Sequence, residues 1–104
     1  MAKKLLRHKY KNKITIRDGL KFRSKKEATY YDTLCLAQRL GPVLFFLRQP
    51  RFDLPGGVFV YADFIVFYES GMVEIVDVKG HRTKGYIRNK KMVEALYPVK
   101  IIER

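Results

Sequence analysis

Short apolar runs alternate with turn residues along most of this chain, and one segment instead has the spacing of an amphipathic helix. From Ala28 to Cys35 the apolar residues recur at intervals of three and four. Ser24, followed three residues later by Glu27, forms a capping box, and Gly41-Pro42 supplies a stop signal. The pattern predicts a helix from about residue 25 to residue 40, with Glu27 on its buried side.

Runs rich in β-branched and aromatic residues predict strands on either side of this helix. Before it, two alternating runs flank Asp18-Gly19, a pair that adopts the positive φ angles of a tight hairpin turn. After it, three apolar runs are separated by turns at residues 55–57 and 69–71, so three antiparallel neighbours are expected. A second helix over about residues 86–96 and a last strand over residues 99–103 complete the order.

The predicted fold class is therefore α/β, with a hairpin followed by the order αβββαβ. We expect a mixed four-stranded sheet flanked by two helices. A chain of 104 residues has room for one core, so residues 14–104 are predicted to form a single domain. Residues 1–13 are basic and lack a clear period, and we expect them to form an N-terminal arm.

Charge is distributed unevenly along the chain. Lys and Arg total 22 against 10 Asp and Glu, which gives a net charge of +12 and favours a polyanionic partner. Residues 1–26 carry +10 and residues 79–104 carry +6, whereas residues 27–78 carry −4. Basic flanks around an acidic middle suit a nucleic-acid-binding surface around a carboxylate site, although a basic surface that only aids solubility or binds RNA would give the same net charge.

Other functional classes have little support in the composition. The single Cys35 allows no internal disulfide, and with two histidines it makes a structural zinc site improbable. No apolar run is long enough for a membrane span or a secretory signal. We therefore expect a cytoplasmic protein with no membrane association and no small-molecule cofactor.

Asp63 is the most informative residue of the sequence. It stands midway in the apolar run from Val58 to Tyr68, which we interpret as one strand covered on both faces. An ionised carboxylate there would cost several kcal/mol unless it is paired or bound to a metal ion, although a satisfied core aspartate or a bulge would look similar. In the next run Asp77 and Lys79 lie two apart and share one strand face. With the carbonyl of Val78, the two aspartates could form an oxygen site for Mg²⁺.

The sequence resembles the PD-(D/E)XK nuclease superfamily, and in particular short phage-encoded members similar to Holliday-junction resolvases. The resemblance covers nearly everything after the N-terminal arm. It rests on four segments in the expected order, namely Phe22 to Ala28, Gln49-Pro50, Tyr61 to Phe64 and Asp77 to Gly80. Ala62 stands where the family usually has Pro, and Asp77 where the third motif more often has Glu.

The resemblance implies a restriction-endonuclease-like core that binds Mg²⁺ or Mn²⁺ and hydrolyses DNA. It also implies that the substrate is branched or junction DNA and that the protein acts in phage replication or recombination. Asp63, Asp77 and the Val78 main-chain carbonyl would be metal ligands, with Glu27 binding directly or through water. Lys79 would be the catalytic lysine and Gln49 a supporting residue. Taken alone, Glu27 is as readily explained as a capping residue, and acid-lysine pairs two apart are common on exposed strands.

Basic residues near these motifs are candidates for contacts with DNA phosphates, although a solvated helix face would look the same. They are Lys25, Lys26, Arg82, Lys84, Arg88, Lys90 and Lys91. A two-fold homodimer would suit symmetric cutting across a junction. Two rival functions remain open: a non-catalytic basic nucleic-acid-binding protein, and a nuclease subunit that is active only within a larger complex.

Overall fold

The computed structural model describes residues 14–78 and 82–104. Its elements in chain order are β1 (Thr15–Arg17), β2 (Leu20–Phe22), α1 (Lys25–Leu40), β3 (Val43–Arg48), β4 (Arg51–Leu54), β5 (Val58–Tyr61), β6 (Phe64–Tyr68), β7 (Val73–Asp77), α2 (Lys84–Leu96) and β8 (Ile101–Glu103). The predicted N-terminal arm at residues 1–13, and Lys79, lie outside the described residues.

Four strands form a mixed sheet in the order β3-β6-β7-β8. The pairs β3/β6 and β6/β7 are antiparallel, and β7/β8 is parallel because α2 carries the chain across before β8 begins. The strands β1 and β2 form a separate hairpin, in which Asp18 and Gly19 have φ angles of 51° and 76°. The α/β class, the two helices, the mixed four-stranded sheet and the hairpin are thus confirmed.

The prediction of one continuous strand from residue 58 to residue 68 is wrong. The run divides at Ala62 and Asp63: β5 pairs with β4 in a two-stranded ribbon, and β6 pairs with β3 in the main sheet. Two hydrogen bonds hold the junction, from Gln49 N to Asp63 O (2.9 Å) and from Ala62 N to Pro50 O (3.1 Å). Residues 43–68 therefore form one long bent hairpin, and Asp63 lies at its bend.

The expected burial of both faces of this run is correct only for β6. In β6, Phe64 and Val66 are fully buried on one face and Ile65 is half-buried on the other, whereas Val58, Phe59 and Tyr61 of β5 are largely exposed. Two contacts cover part of the exposed ring of Phe59: the guanidinium of Arg51 lies 4.0 Å from its centroid, and Tyr61 packs against it edge-on. The ribbon is exposed on this side only, since Phe52 and Leu54 of β4 are buried.

The two helices begin and end at local signals that the sequence carries. Ser24 Oγ accepts a hydrogen bond from Glu27 N (3.1 Å) at the start of α1, and Gly41, at a φ of 115°, ends it by donating to Ala37 O. Helix α2 begins two residues before the predicted position because Thr83 caps it by accepting from Tyr86 N. No helix among the described residues has both the length and the apolar character needed to cross a bilayer.

Each helix packs on its own face of the main sheet. Successive residues of a strand point to opposite faces, so Phe64 and Val76 face α1 while Ile65 and Ile75 face α2. The core under α1 consists of Phe22, Ala28, Tyr31, Leu34, Val43, Phe64, Val66, Val76 and Val78. The core under α2 consists of Phe52, Leu54, Ala62, Ile75, Val93 and Ile101. The bend at Asp63 lies between these two cores, at one end of β6 and β7.

Candidate active site

Asp63 is held at the bend by hydrogen bonds on both its side chain and its backbone. Its side chain is 2% exposed. Oδ2 accepts from Val78 N at 2.7 Å, and Oδ1 accepts from Arg23 Nη2 at 3.1 Å. Its own N–H is shared between Val76 O and Asp77 Oδ1 at 3.1 and 3.0 Å. The carboxylate is therefore tied to the end of β7 by hydrogen bonds in both directions.

Asp77 is the last residue of β7 and is 3% exposed. It shares a strand face with Ile75, so its carboxylate lies on the side of the sheet that α2 covers. The first turn of α2 brings Tyr86 next to it. Burial, followed by the carboxylates of Asp77 and Glu103, raises the pKa of the Tyr86 hydroxyl, which stays a neutral hydrogen-bond donor beside these acids.

Glu27 approaches Asp63 from the first turn of α1. It is 3% exposed, and burial raises the pKa of its carboxyl, with the negative charge of Asp63 as the next cause. The charge and the backbone N–H of Arg23, and then the charge of Arg48, partly oppose this shift. In the predicted capping box, the Glu27 carboxylate would accept a hydrogen bond from the Ser24 N–H. This prediction is corrected, since the backbone hydrogen bond that stabilises the charge of Glu27 comes from Arg23. Glu27 and Asp63 are therefore close enough to interact electrostatically.

Three almost fully buried acids thus lie on neighbouring parts of the fold: Glu27 in the first turn of α1, Asp63 at the bend and Asp77 at the end of β7. Arg23 offers a positive charge at 3.1 Å from Asp63, but its side chain is 71% exposed. An exposed guanidinium is well solvated and compensates only weakly for buried negative charge. The group is rich in hard oxygen donors, which is the chemistry that Mg²⁺ and Mn²⁺ prefer.

The arrangement of these oxygens does not yet form a metal site. Within residues 14–78 and 82–104, no three His, Cys, Asp or Glu side chains are arranged to hold a metal ion. Each oxygen of Asp63 already accepts a hydrogen bond, from Arg23 and from Val78 N. The donor chemistry thus fits a divalent cation, because each Asp63 oxygen accepts one hydrogen bond and keeps a second lone pair.

A cavity of about 410 Å³ opens beside Asp77 between α2 and the β4-β5 ribbon. Arg23, Asn89 and Lys90 contribute polar side chains to its wall, and Phe52, Val60 and Val93 contribute apolar ones. The wall therefore combines two cationic side chains and an amide with the carboxylate of Asp77. Those groups suit a ligand that carries a phosphodiester.

The basic residues predicted to contact DNA are spread over three surfaces. Lys90 lines the cavity beside Asp77 and forms an ion pair with Glu94 (3.3 Å). The pair Lys25 and Lys26 lines a groove on the α1 side that also includes Val78 and Arg104. A third groove, on the outer side of α2, is lined by Lys84, Arg88 and Lys91 together with Ile87, Met92 and Ala95.

Three further predicted residues need separate comment. Arg82 forms an ion pair with Glu103 (3.2 Å), next to the cavity wall at Tyr86. Gln49 supports the site through its backbone, because its N–H bonds to Asp63 O while its side chain is exposed, and its φ of 55° turns the chain from β3 into β4. Lys79, the predicted catalytic lysine, lies outside the described residues.

Arg23 and Tyr86 are residues of the site to which the sequence assigned no role there. Arg23 stands one residue before the helix cap Ser24. Since buried carboxylates need a positive partner, its place near Glu27 in the sequence is the signal that could have identified it. Tyr86 opens α2 after a loop, and nothing in its local sequence indicates that it faces Asp77. Only the crossing of α2 over the end of β7 brings the two residues together.

Comparison with curated proteins and with solved structures found no match. A family model described as "Protein of unknown function (DUF1064)" matches residues 7–102, which is nearly the whole chain. The match includes every described residue that contributes to the site. The chain therefore belongs to the DUF1064 family.

Proposed function

We propose that this protein is a Mg²⁺- or Mn²⁺-dependent endonuclease that hydrolyses DNA phosphodiester bonds. The observation that supports this most is the burial of Glu27, Asp63 and Asp77 on neighbouring elements, with Asp77 in the wall of a cavity that also has basic groups. A structural core has no use for three neighbouring acids, since their burial and mutual repulsion oppose folding. A function that needs a cation gives a reason to keep them.

In this proposal Asp63, Asp77 and the Val78 carbonyl hold the divalent ion, and Glu27 contacts it directly or through water. Such an ion polarises a phosphate and lowers the pKa of a bound water molecule. The residues around it orient the DNA strand, with Arg23 and Lys90 binding phosphate oxygens. Lys79 follows directly in sequence and is proposed to offset charge in the transition state.

The nuclease core and the preference for branched or junction DNA are part of the same proposal and follow from the resemblance to PD-(D/E)XK enzymes. A role in phage replication or recombination, and action as a two-fold dimer, have the same basis. The charge of +12 supports a nucleic acid as the partner. The acidic middle segment favours catalysis over simple binding, because carboxylates repel DNA unless a cation intervenes.

The test incubates the purified full chain with four-way junction, flap and linear duplex DNA, with and without Mg²⁺ or Mn²⁺. We expect cleavage that requires the metal and is lost in Asp63→Asn and Asp77→Asn. Asp53→Asn is the matched control, because Asp53 is an exposed acid on the β4-β5 ribbon that pairs with Arg51. It should cut like the wild type.

The rival functions give different results in the same experiment. A non-catalytic binder would show salt-sensitive DNA binding that Asp77→Asn leaves unchanged or improves, and no cleavage under any condition. A subunit that needs a larger complex would bind divalent metal through Asp63 and Asp77 yet leave DNA intact when alone. Cleavage that survives both substitutions would reject the proposed site.

A further inference from the structure

We propose that Arg23 serves two partners in turn: it holds Asp63 while no divalent ion is present, and it transfers to a DNA phosphate once an ion binds the carboxylates. This inference rests on the proposed function and deepens it. It assigns a role to a residue at the edge of the carboxylate group, where Arg23 Nη2 lies 3.1 Å from Asp63 Oδ1. Arg23 would then act as a positioning residue for the substrate.

The contact between Arg23 and Asp63 has the features of an exchangeable one. A single nitrogen, Nη2, lies 3.1 Å from Oδ1, and the guanidinium is 71% exposed while the carboxylate is 3% exposed. The arginine keeps most of its hydration in this position, so breaking the contact costs it little. The carboxylate, in contrast, requires a cation at this place. A divalent ion provides twice the charge and can replace the arginine.

The backbone of Arg23 is held in place, whereas its side chain is 71% exposed and has solvent around it. Its N–H supports the Glu27 carboxylate, and the next residue, Ser24, caps α1. The side chain also lines the cavity that contains Asp77 and Lys90, so a short rotation keeps it in the space proposed for DNA. Guanidinium binds phosphate through two parallel hydrogen bonds, a geometry that its single contact with Asp63 does not use.

Metal affinity tests the first half of the proposal without any need for cleavage. Tb³⁺ binding is followed by luminescence excited through the seven tyrosines of this Trp-free chain, with Mn²⁺ as competitor. Arg23→Gln removes the competing cation and should tighten binding about two- to fivefold, the range expected from loss of one solvent-exposed ion pair. Arg51→Gln is the matched control, since Arg51 is also a solvent-exposed arginine in an ion pair, but its partner is Asp53 on the β4-β5 ribbon, and it should change affinity less than twofold.

DNA binding tests the second half. With Ca²⁺ as the bound cation, Arg23→Gln should weaken binding to a flap substrate and reduce the slope of log affinity against log salt by about one. Without divalent ion the same substitution should leave that slope unchanged, because Arg23 is then engaged by Asp63. Arg23→Lys keeps the charge without the planar fork, and should restore the slope but not the full affinity.

The outcomes separate this inference from the proposed function. If the wild type binds metal and cuts DNA while Arg23→Gln binds metal equally or more weakly, the exchange is rejected and the nuclease proposal stands. A change in the salt slope that is the same with and without divalent ion also rejects the exchange. If Tb³⁺ or Mn²⁺ binding is absent, or is unaffected by Asp63→Asn and Asp77→Asn, both proposals fail.

Discussion

Replacing Asp63 by alanine and by asparagine removes the same charge but not the same hydrogen-bond acceptor. In both variants the ion pair with Arg23 and the repulsion of Glu27 disappear, so these contributions cancel when the two variants are compared. Asparagine retains an oxygen that can accept from Val78 N, whereas alanine leaves this N–H without its side-chain acceptor. The asparagine amide would face Arg23, which is exposed enough to move into solvent.

The difference in stability follows from the bond to Val78. Asp63 Oδ2 lies 2.7 Å from this backbone nitrogen, and Val78 is buried. A buried N–H left without a partner costs about 1 to 3 kcal/mol. For a domain of about 100 residues, each kcal/mol shifts Tm by about 4 to 8 °C. With a central cost of about 2 kcal/mol, we expect Asp63→Ala to melt about 8 to 16 °C below Asp63→Asn.

Thermal unfolding followed by circular dichroism measures this difference, and urea titration at 25 °C gives the free energy of unfolding independently. Equal melting temperatures for the two variants would show that Asp63 does not hold the end of β7, and the description of the bend would then be wrong. The result also decides how activity data are interpreted. Loss of cutting in a well-folded asparagine variant reports on the site, whereas the alanine variant combines chemistry with destabilisation.

Three further predictions follow from the packing and the charges. Because burial raises the pKa of Glu27, the native state binds its proton more tightly than the unfolded chain does, so the free energy of unfolding falls as pH rises from the ordinary glutamate pKa through the raised one. Glu27→Gln should therefore be more stable than the wild type at pH 7 and lose this advantage near pH 4 in urea titrations. Equal stability at pH 7 would contradict the raised pKa. Val93→Ala, at the fully buried contact between α2 and the sheet, should cost about 2 kcal/mol of unfolding free energy, against less than about 0.5 kcal/mol for its more exposed neighbour in Met92→Ala. Lys90→Ala should reduce the slope of log DNA affinity against log salt by about one, whereas Lys91→Ala, on the outer side of α2, should leave this slope unchanged. The opposite ranking would place DNA on the outer groove.

The elements that the sequence predicted well are those whose signals are local. The hairpin at Asp18-Gly19 depends on two residues that accept positive φ, and α1 depends on a cap and a glycine stop within its own ends. The division of the run from Val58 to Tyr68 has no such signal, since its residues are uniformly apolar. It results from tertiary pairing: the bonds that join the Gln49-Pro50 segment to Ala62 and Asp63 mark where the chain leaves the main sheet.

Glu27 shows how the structure separates two interpretations that the sequence leaves open. A glutamate that only completes a capping box can remain largely in solvent, where ionisation has little cost. Glu27 is almost fully buried, its pKa is raised by burial and by Asp63, and the cap itself is formed by Ser24 Oγ. Since glutamine could accept the same bond from the Arg23 backbone without a buried charge, folding alone gives no reason for a carboxylate at this position. A buried charge that destabilises the fold is expected where function requires it, and the role of Glu27 at the site remains our proposal beside its structural place at the start of α1.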